Sequence, residues 1–190
     1  MPDQETDVAT FDVSNITTLS VASSVAISGI VLNSGASAYT IAADFSIQGA
    51  GIINNSGVTQ NFISAQEDIG FGGNATAGDD IVYTNNGEMP LAYGTVFAER
   101  ANAGSATFIN KEDSADLRLA FMLFRDTTSA ANSTIINQSG DTYRAVTEFQ
   151  DHASAGNSSI TLEQGLRLIS TTTQRAAPPH LSRMAGKFIL

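Results

Sequence analysis

The chain has no cysteine in its 190 residues, only two histidines, and a charged fraction of just 15%. Without cysteine there is no disulfide and no thiolate metal site, and His152 and His180 alone do not make a histidine-based zinc cluster. No apolar run approaches the length of a bilayer-spanning helix, about 18 residues or more. Met1-Pro-Asp-Gln-Glu-Thr-Asp7 is acidic and lacks an apolar core, so no secretory signal is visible at this end. The Lys, Glu, Gln and Leu that clothe helices are sparse; Ser, Thr, Asn, Gly and β-branched residues favour strands and turns instead.

Charge is also one-sided. The net value is −10; residues 1–162 carry 5 basic and 18 acidic side chains, whereas residues 163–190 carry 4 basic and 1 acidic. An acidic body repels phosphate backbones and anionic lipid, so nucleic acid is not an expected partner. Arg167, Arg175, Arg183 and Lys187 form a dispersed basic tail, read as a solvated end.

What the sequence does contain is a repeat. Phe71-Gly-Gly-Asn-Ala-Thr-Ala-Gly78, Phe97-Ala-Glu-Arg-Ala-Asn-Ala-Gly104, Phe124-Arg-Asp-Thr-Thr-Ser-Ala-Ala131 and Phe149-Gln-Asp-His-Ala-Ser-Ala-Gly156 align. Their phenylalanines recur at a nearly constant interval of about 26 residues, within the range of stacked repeat units. Period-two alternation precedes each phenylalanine, as in Leu91, Tyr93, Thr95, Phe97 and in Tyr143, Ala145, Thr147, Phe149. The pattern predicts a strand closed by an inward phenylalanine, a polar bend, a tight Ala-x-Ala-Gly segment, and a second short strand near Ile81, Phe108, Ile135 and Ile160. Repeats of this length stack, each coil gaining a core from its neighbours.

Phe45 lies one such interval before Phe71, and both residues 52–57 and residues 25–35 resemble the later second-strand element. These similarities predict about six coils between residues 11 and 165, with residues 1–10 and 166–190 as extensions or caps. Asn85, Asn110 and Asn137 are expected to form an asparagine ladder at a turn. In residues 117–124 both strand faces are apolar, and Leu117, Leu119, Phe121 and Leu123 form a candidate self-association patch.

The repeat Phe-x-x-x-Ala-x-Ala-Gly-x-x-Thr-Ile-x-Asn, over roughly residues 45–162, resembles the passenger region of bacterial autotransporters. The resemblance implies an all-β, right-handed parallel β-helix displayed on a bacterial surface or released from it. It would serve as a scaffold or adhesin toward a host or neighbouring-cell glycan or protein. No C-terminal translocator barrel and no signal peptide accompany the repeats in this chain.

Several sugar-cleaving enzymes share such a fold, which raises a catalytic alternative. Glu99, Asp126 and Asp151 each follow a repeat phenylalanine by two residues, and stacking would align them into a carboxylate column. Carboxylates about 5–9 Å apart can serve as acid and base on a glycosidic bond. The simpler reading is a turn position that accepts polar residues, with Gly73 as its equivalent one coil earlier. The segment 72–80 lacks the inner glycine and aspartate of calcium-binding nonapeptides, and nothing repeats at their period. Asp151, His152 and a serine would not form a triad, because adjacent strand residues point apart and no nucleophile elbow is present. No cofactor or metal is expected. Six Asn-x-Ser/Thr sequons, at Asn15, Asn54, Asn74, Asn132, Asn137 and Asn157, follow from the composition.

Overall fold

The computed structural model describes residues 4–21, 23–64, 68–86, 93–111, 120–138, 145–163, 167–170 and 180–183. Its strands, in chain order, begin with β1 (Val8–Phe11), β2 (Thr18–Ser20), β3 (Val25–Leu32), β4 (Thr40–Ala42), β5 (Phe45–Asn54), β6 (Gln60–Ile63), β7 (Ile69–Phe71) and β8 (Ile81–Asn86). They continue with β9 (Tyr93–Phe97), β10 (Thr107–Lys111), β11 (Ala120–Phe124), β12 (Thr134–Asn137), β13 (Val146–Phe149), β14 (Ser159–Leu162), β15 (Arg167–Ser170) and β16 (His180–Arg183). Odd strands form one eight-stranded parallel sheet and even strands another, each in simple chain order. Every coil thus lays one strand on each sheet and climbs one rung: a right-handed parallel β-solenoid. No helix among the described residues is long and apolar enough to cross a membrane.

The repeat maps onto this geometry directly. Phe71, Phe97, Phe124 and Phe149 close their strands in register with one another, and all four are buried. Their rings stack at 5.0, 4.7 and 4.8 Å between centroids, close to the spacing of neighbouring strands. Such contacts contribute about 0.5–1.5 kcal/mol each beyond burial. Tyr83 and Phe108 continue the pattern in the second sheet at 4.8 Å, followed there by Ile135 and Ile160.

Between the two strands of a coil runs a short third face. Ala75, Ala77, Ala101, Ala103, Ala130, Ala153 and Ala155 point inward and are buried, while Thr76, Asn102, Ser129 and Ser154 pair as single parallel bridges. Small inward residues let this face lie close to the aromatic columns. Thr95 and Phe97, and likewise Ala145, Thr147 and Phe149, are buried as the alternation predicts; Leu91 and Tyr143 lie outside the described residues.

The six expected coils correspond to β3 through β14, and a further strand pair stands at each end. Two register assignments are corrected. Phe45 pairs with Ile69, and Ile47 is the residue opposite Phe71, because the early coils are shorter than the later ones. Nor do residues 52–57 and 25–35 hold second-sheet strands: residues 52–54 end β5, and Val25–Leu32 is β3, both in the odd sheet. In these coils the first strand and the third face merge into one long strand with a register shift between Ile27 and Gly29. The second-sheet strands are β4 and β6.

Candidate functional site

The carboxylate column exists. Glu99, Asp126 and Asp151 occupy one turn position on consecutive coils, all solvent-exposed. Each has a left-handed backbone (φ 60, 59 and 54°), as does Gly73 at 59° in the coil before. That conformation strains a residue with a Cβ, and Asn and Asp tolerate it better than most.

Each carboxylate is engaged. The Gly73 N–H donates to Glu99 Oε2 at 2.8 Å, the Glu99 N–H to Asp126 Oδ2 at 2.8 Å, and the Asp126 N–H to Asp151 Oδ2 at 3.1 Å. The side chains therefore reach back one coil and satisfy a backbone donor at the bend, where the strand ladder cannot. Arg125 Nε lies 4.0 Å from Asp126 Oδ2, with both side chains about half exposed; a pair so placed contributes little. His152 is exposed, and its backbone N–H donates to the Asp126 carbonyl at 2.9 Å.

A second polar column lies inside. Asn85, Asn110 and Asn137 are fully buried on β8, β10 and β12, within strands rather than at a turn. Asn85 Nδ2 donates to Asn110 Oδ1 at 2.7 Å, and Asn110 Nδ2 to Asn137 Oδ1 at 2.6 Å. Thr95 Oγ1 donates to Asn85 Oδ1 (2.9 Å) and Thr147 Oγ1 to Asn137 Oδ1 (3.1 Å). Asn110 Nδ2 also reaches Thr147 Oγ1 at 3.3 Å. The ladder stops where Leu162 follows Asn137 in register, and Asn137 Nδ2 is left without a hydrogen-bond partner. Nearby, Tyr83 donates its hydroxyl to the Ala77 carbonyl at 2.7 Å; burial pushes its pKa well above the usual value.

A third column was not foreseen. Thr76 Oγ1, Asn102 Oδ1, Ser129 Oγ and Ser154 Oγ each accept the N–H two residues on, at 3.2, 3.0, 3.0 and 3.1 Å. The signal was present as the polar x in Ala-x-Ala-Gly, since Ser, Thr and Asn close such local turns.

The remaining candidates have structural surroundings. Asp79 Oδ1 accepts both the N–H (3.1 Å) and the hydroxyl (2.6 Å) of Ser105. Among the described residues no group of three or more His, Cys, Asp or Glu side chains is placed to hold a metal. Of the sequons, Asn137 is fully buried and Asn54 donates to the Val58 and Asp80 carbonyls at 3.0 and 3.2 Å. Asn15, Asn74, Asn132 and Asn157 are exposed. On β11, Ala120, Met122 and Phe124 face inward, while Phe121 and Leu123 are half-buried on the outside; Leu117 and Leu119 lie outside the described residues.

The outward side of the even sheet is free of charge across its middle. Thr40, Asn61, Val82, Thr107, Thr134 and Ser159 align in one column and Ala42, Ile63, Thr84, Ile109, Ile136 and Thr161 in the next. Columns two residues apart lie about 6.7 Å from each other and repeat about every 4.8 Å along the stack.

Fold and columns together define a β-solenoid scaffold whose polar ladders hold its coils in register. Comparison of the chain with protein-family models, with curated proteins and with solved structures finds no match.

Proposed function

We propose that this solenoid is a non-enzymatic, surface-displayed or secreted scaffold of adhesin type, similar in role to an autotransporter passenger. The reading rests on the carboxylate column: Glu99 Oε2, Asp126 Oδ2 and Asp151 Oδ2 are each hydrogen-bonded to the backbone of the preceding coil. Carboxylates held as turn acceptors serve the stack; a glycosidase needs one free to protonate a leaving group and another to activate water or attack.

Binding then falls to extended faces rather than to a cleft. The neutral outer columns of the even sheet present hydroxyl and methyl groups at regular intervals, suited to a repeating neutral glycan or to a flat protein surface on a host or neighbouring cell. Each contact is weak, and several engaged at once gain avidity. The test pairs two measurements on wild type and Asp126→Ala. A polysaccharide panel assayed for reducing ends is expected to stay silent for both proteins; release lost in the variant would establish the glycan-cleaving alternative. Binding to immobilised glycans is expected to survive Asp126→Ala and to fall in Thr107→Lys/Thr134→Lys. Equal binding by all three proteins would remove the even-sheet face from the proposal.

A further inference from the structure

Among the described residues the first rung is open in one specific place. β1 lies against only the second half of β3, at Gly29, Ile30, Val31 and Leu32. On that side of residues 25–27, no strand is present among the described residues. The Val25 N–H donates inward along the sheet to the Asp44 carbonyl. Alternation along a strand therefore turns the N–H and C=O of Ala26 toward the open edge. Beneath that edge the core opens into an apolar cavity of about 400 Å³, lined by residues including Phe11, Leu19, Val25, Ile27, Ile41 and Phe45. Three of the five exposed large hydrophobic residues among those described, Val8, Val13 and Ile16, also sit on this first rung. The apolar exposure is concentrated at one end.

The opposite end carries what that gap lacks. Among the described residues no strand pairs with the outer edges of β15 and β16, and Lys187-Phe188-Ile189-Leu190 follows β16 in the sequence. Odd strands begin three to nine residues after the even strand before them. Lys187 stands four residues after Arg183, within that range. Its sequence offers an apolar residue at either strand parity: Phe188 with Leu190, or Ile189. The charges also match: Glu5 and Asp7 lie just before β1, with the Asp7 carbonyl accepting from Ser28, whereas Arg183 ends β16 and Lys187 opens the segment.

The segment does not reach its own gap. Seven residues after Arg183 extend at most about 25 Å, whereas seven rungs at about 4.8 Å separate β16 from β2, roughly 34 Å.

We propose that the first rung receives a second copy of this chain, whose residues 187–190 add as a parallel strand against residues 25–27 while its β16 lies along β2. Addition of a strand to an open edge takes its affinity from main-chain hydrogen bonds and its specificity from the side-chain pocket. The contact is heterologous and does not close on itself, so it propagates head to tail into a filament.

Sedimentation velocity of the full chain, from micromolar to millimolar concentration, tests this. The wild type should form species that lengthen with concentration and shorten with added salt. Ala26→Pro removes the outward N–H but leaves the bond from Val25 to Asp44. A chain ending at Gly186 removes the donor segment. Each should weaken association at least tenfold with unchanged circular dichroism, and a peptide of residues 184–190 should cap wild-type growth. If Ala26→Pro fails to fold, the shortened chain carries the test. A wild type that stays monomeric throughout overturns the proposal, as does association that survives loss of residues 187–190. Association lost only in Phe121→Asp would place the contact on the outer face of β11 and overturn it equally.

Discussion

Asn110→Ala is the most informative single change, because its effect can be worked out from named bonds. Asn110 accepts from Asn85 Nδ2 at 2.7 Å and donates to Asn137 Oδ1 at 2.6 Å. Truncation removes both of these bonds, worth about 1 kcal/mol net each, together with the longer contact to Thr147 Oγ1. It also strands Asn85 Nδ2 in a fully buried site, at a further cost of about 1–3 kcal/mol. The sum is about 3–5 kcal/mol, a large share of the roughly 5–15 kcal/mol typical of a folded domain.

Asn137→Ala supplies the control. Asn137 Nδ2 already lacks a partner, so truncation there also removes a buried unpaired donor; of the two donors it releases, Asn110 Nδ2 keeps Thr147 Oγ1 at 3.3 Å and only the Thr147 hydroxyl loses its acceptor. The expected cost is about 1–2 kcal/mol smaller than at Asn110. Urea unfolding of wild type and both variants, compared at a common denaturant slope, measures the difference. Equal losses, or a larger loss at Asn137, would refute the account of the ladder as a chain whose middle link has most to lose.

Other outcomes follow from the same geometry. Ala131 (φ 50°) holds the position occupied by Gly104 and Gly156 in neighbouring coils, so Ala131→Gly should stabilise by about 0.5–1 kcal/mol in thermal or urea unfolding. Asp126→Asn retains the acceptor for the Glu99 N–H and should change stability by less than about 0.5 kcal/mol, whereas Asp126→Ala should cost about 1–2 kcal/mol. Tyr83 has a folded-state pKa raised by burial. Its contribution is complete below the unfolded value of about 10. As pH rises above that value the unfolded chain loses the proton while the folded one keeps it, so stability falls toward the folded pKa. Tyr83→Phe should flatten that alkaline decline, at a cost of about 1 kcal/mol at neutral pH for the bond to Ala77.

The legible part of this fold was the part that repeats. Four phenylalanines at near-constant spacing were enough to place β7, β9, β11 and β13, because stacked side chains of one type declare their register. The N-terminal coils misled for the same reason. Residues 52–55 have the composition of a later second-sheet strand, yet shortening of the coil fuses first strand and third face into β5, which no local pattern signals. The carboxylates were found by position, and their role was not: a reach of one coil to a backbone N–H depends on the left-handed φ of Gly73, Glu99 and Asp126. The open first rung was unreadable for another reason. A place in one column that no described strand fills is a property of the stack, not of any segment.

Met122 stands between Thr95 and Thr147 in one inward column. A chain built from near-identical coils has many almost equivalent ways to stack, since slipping by one coil still places phenylalanine on phenylalanine. Such degeneracy is a source of kinetic traps in folding. Met122 marks the count. A slipped arrangement would set its thioether against an asparagine that now receives a threonine hydroxyl, so this irregular residue helps to tell the coils apart.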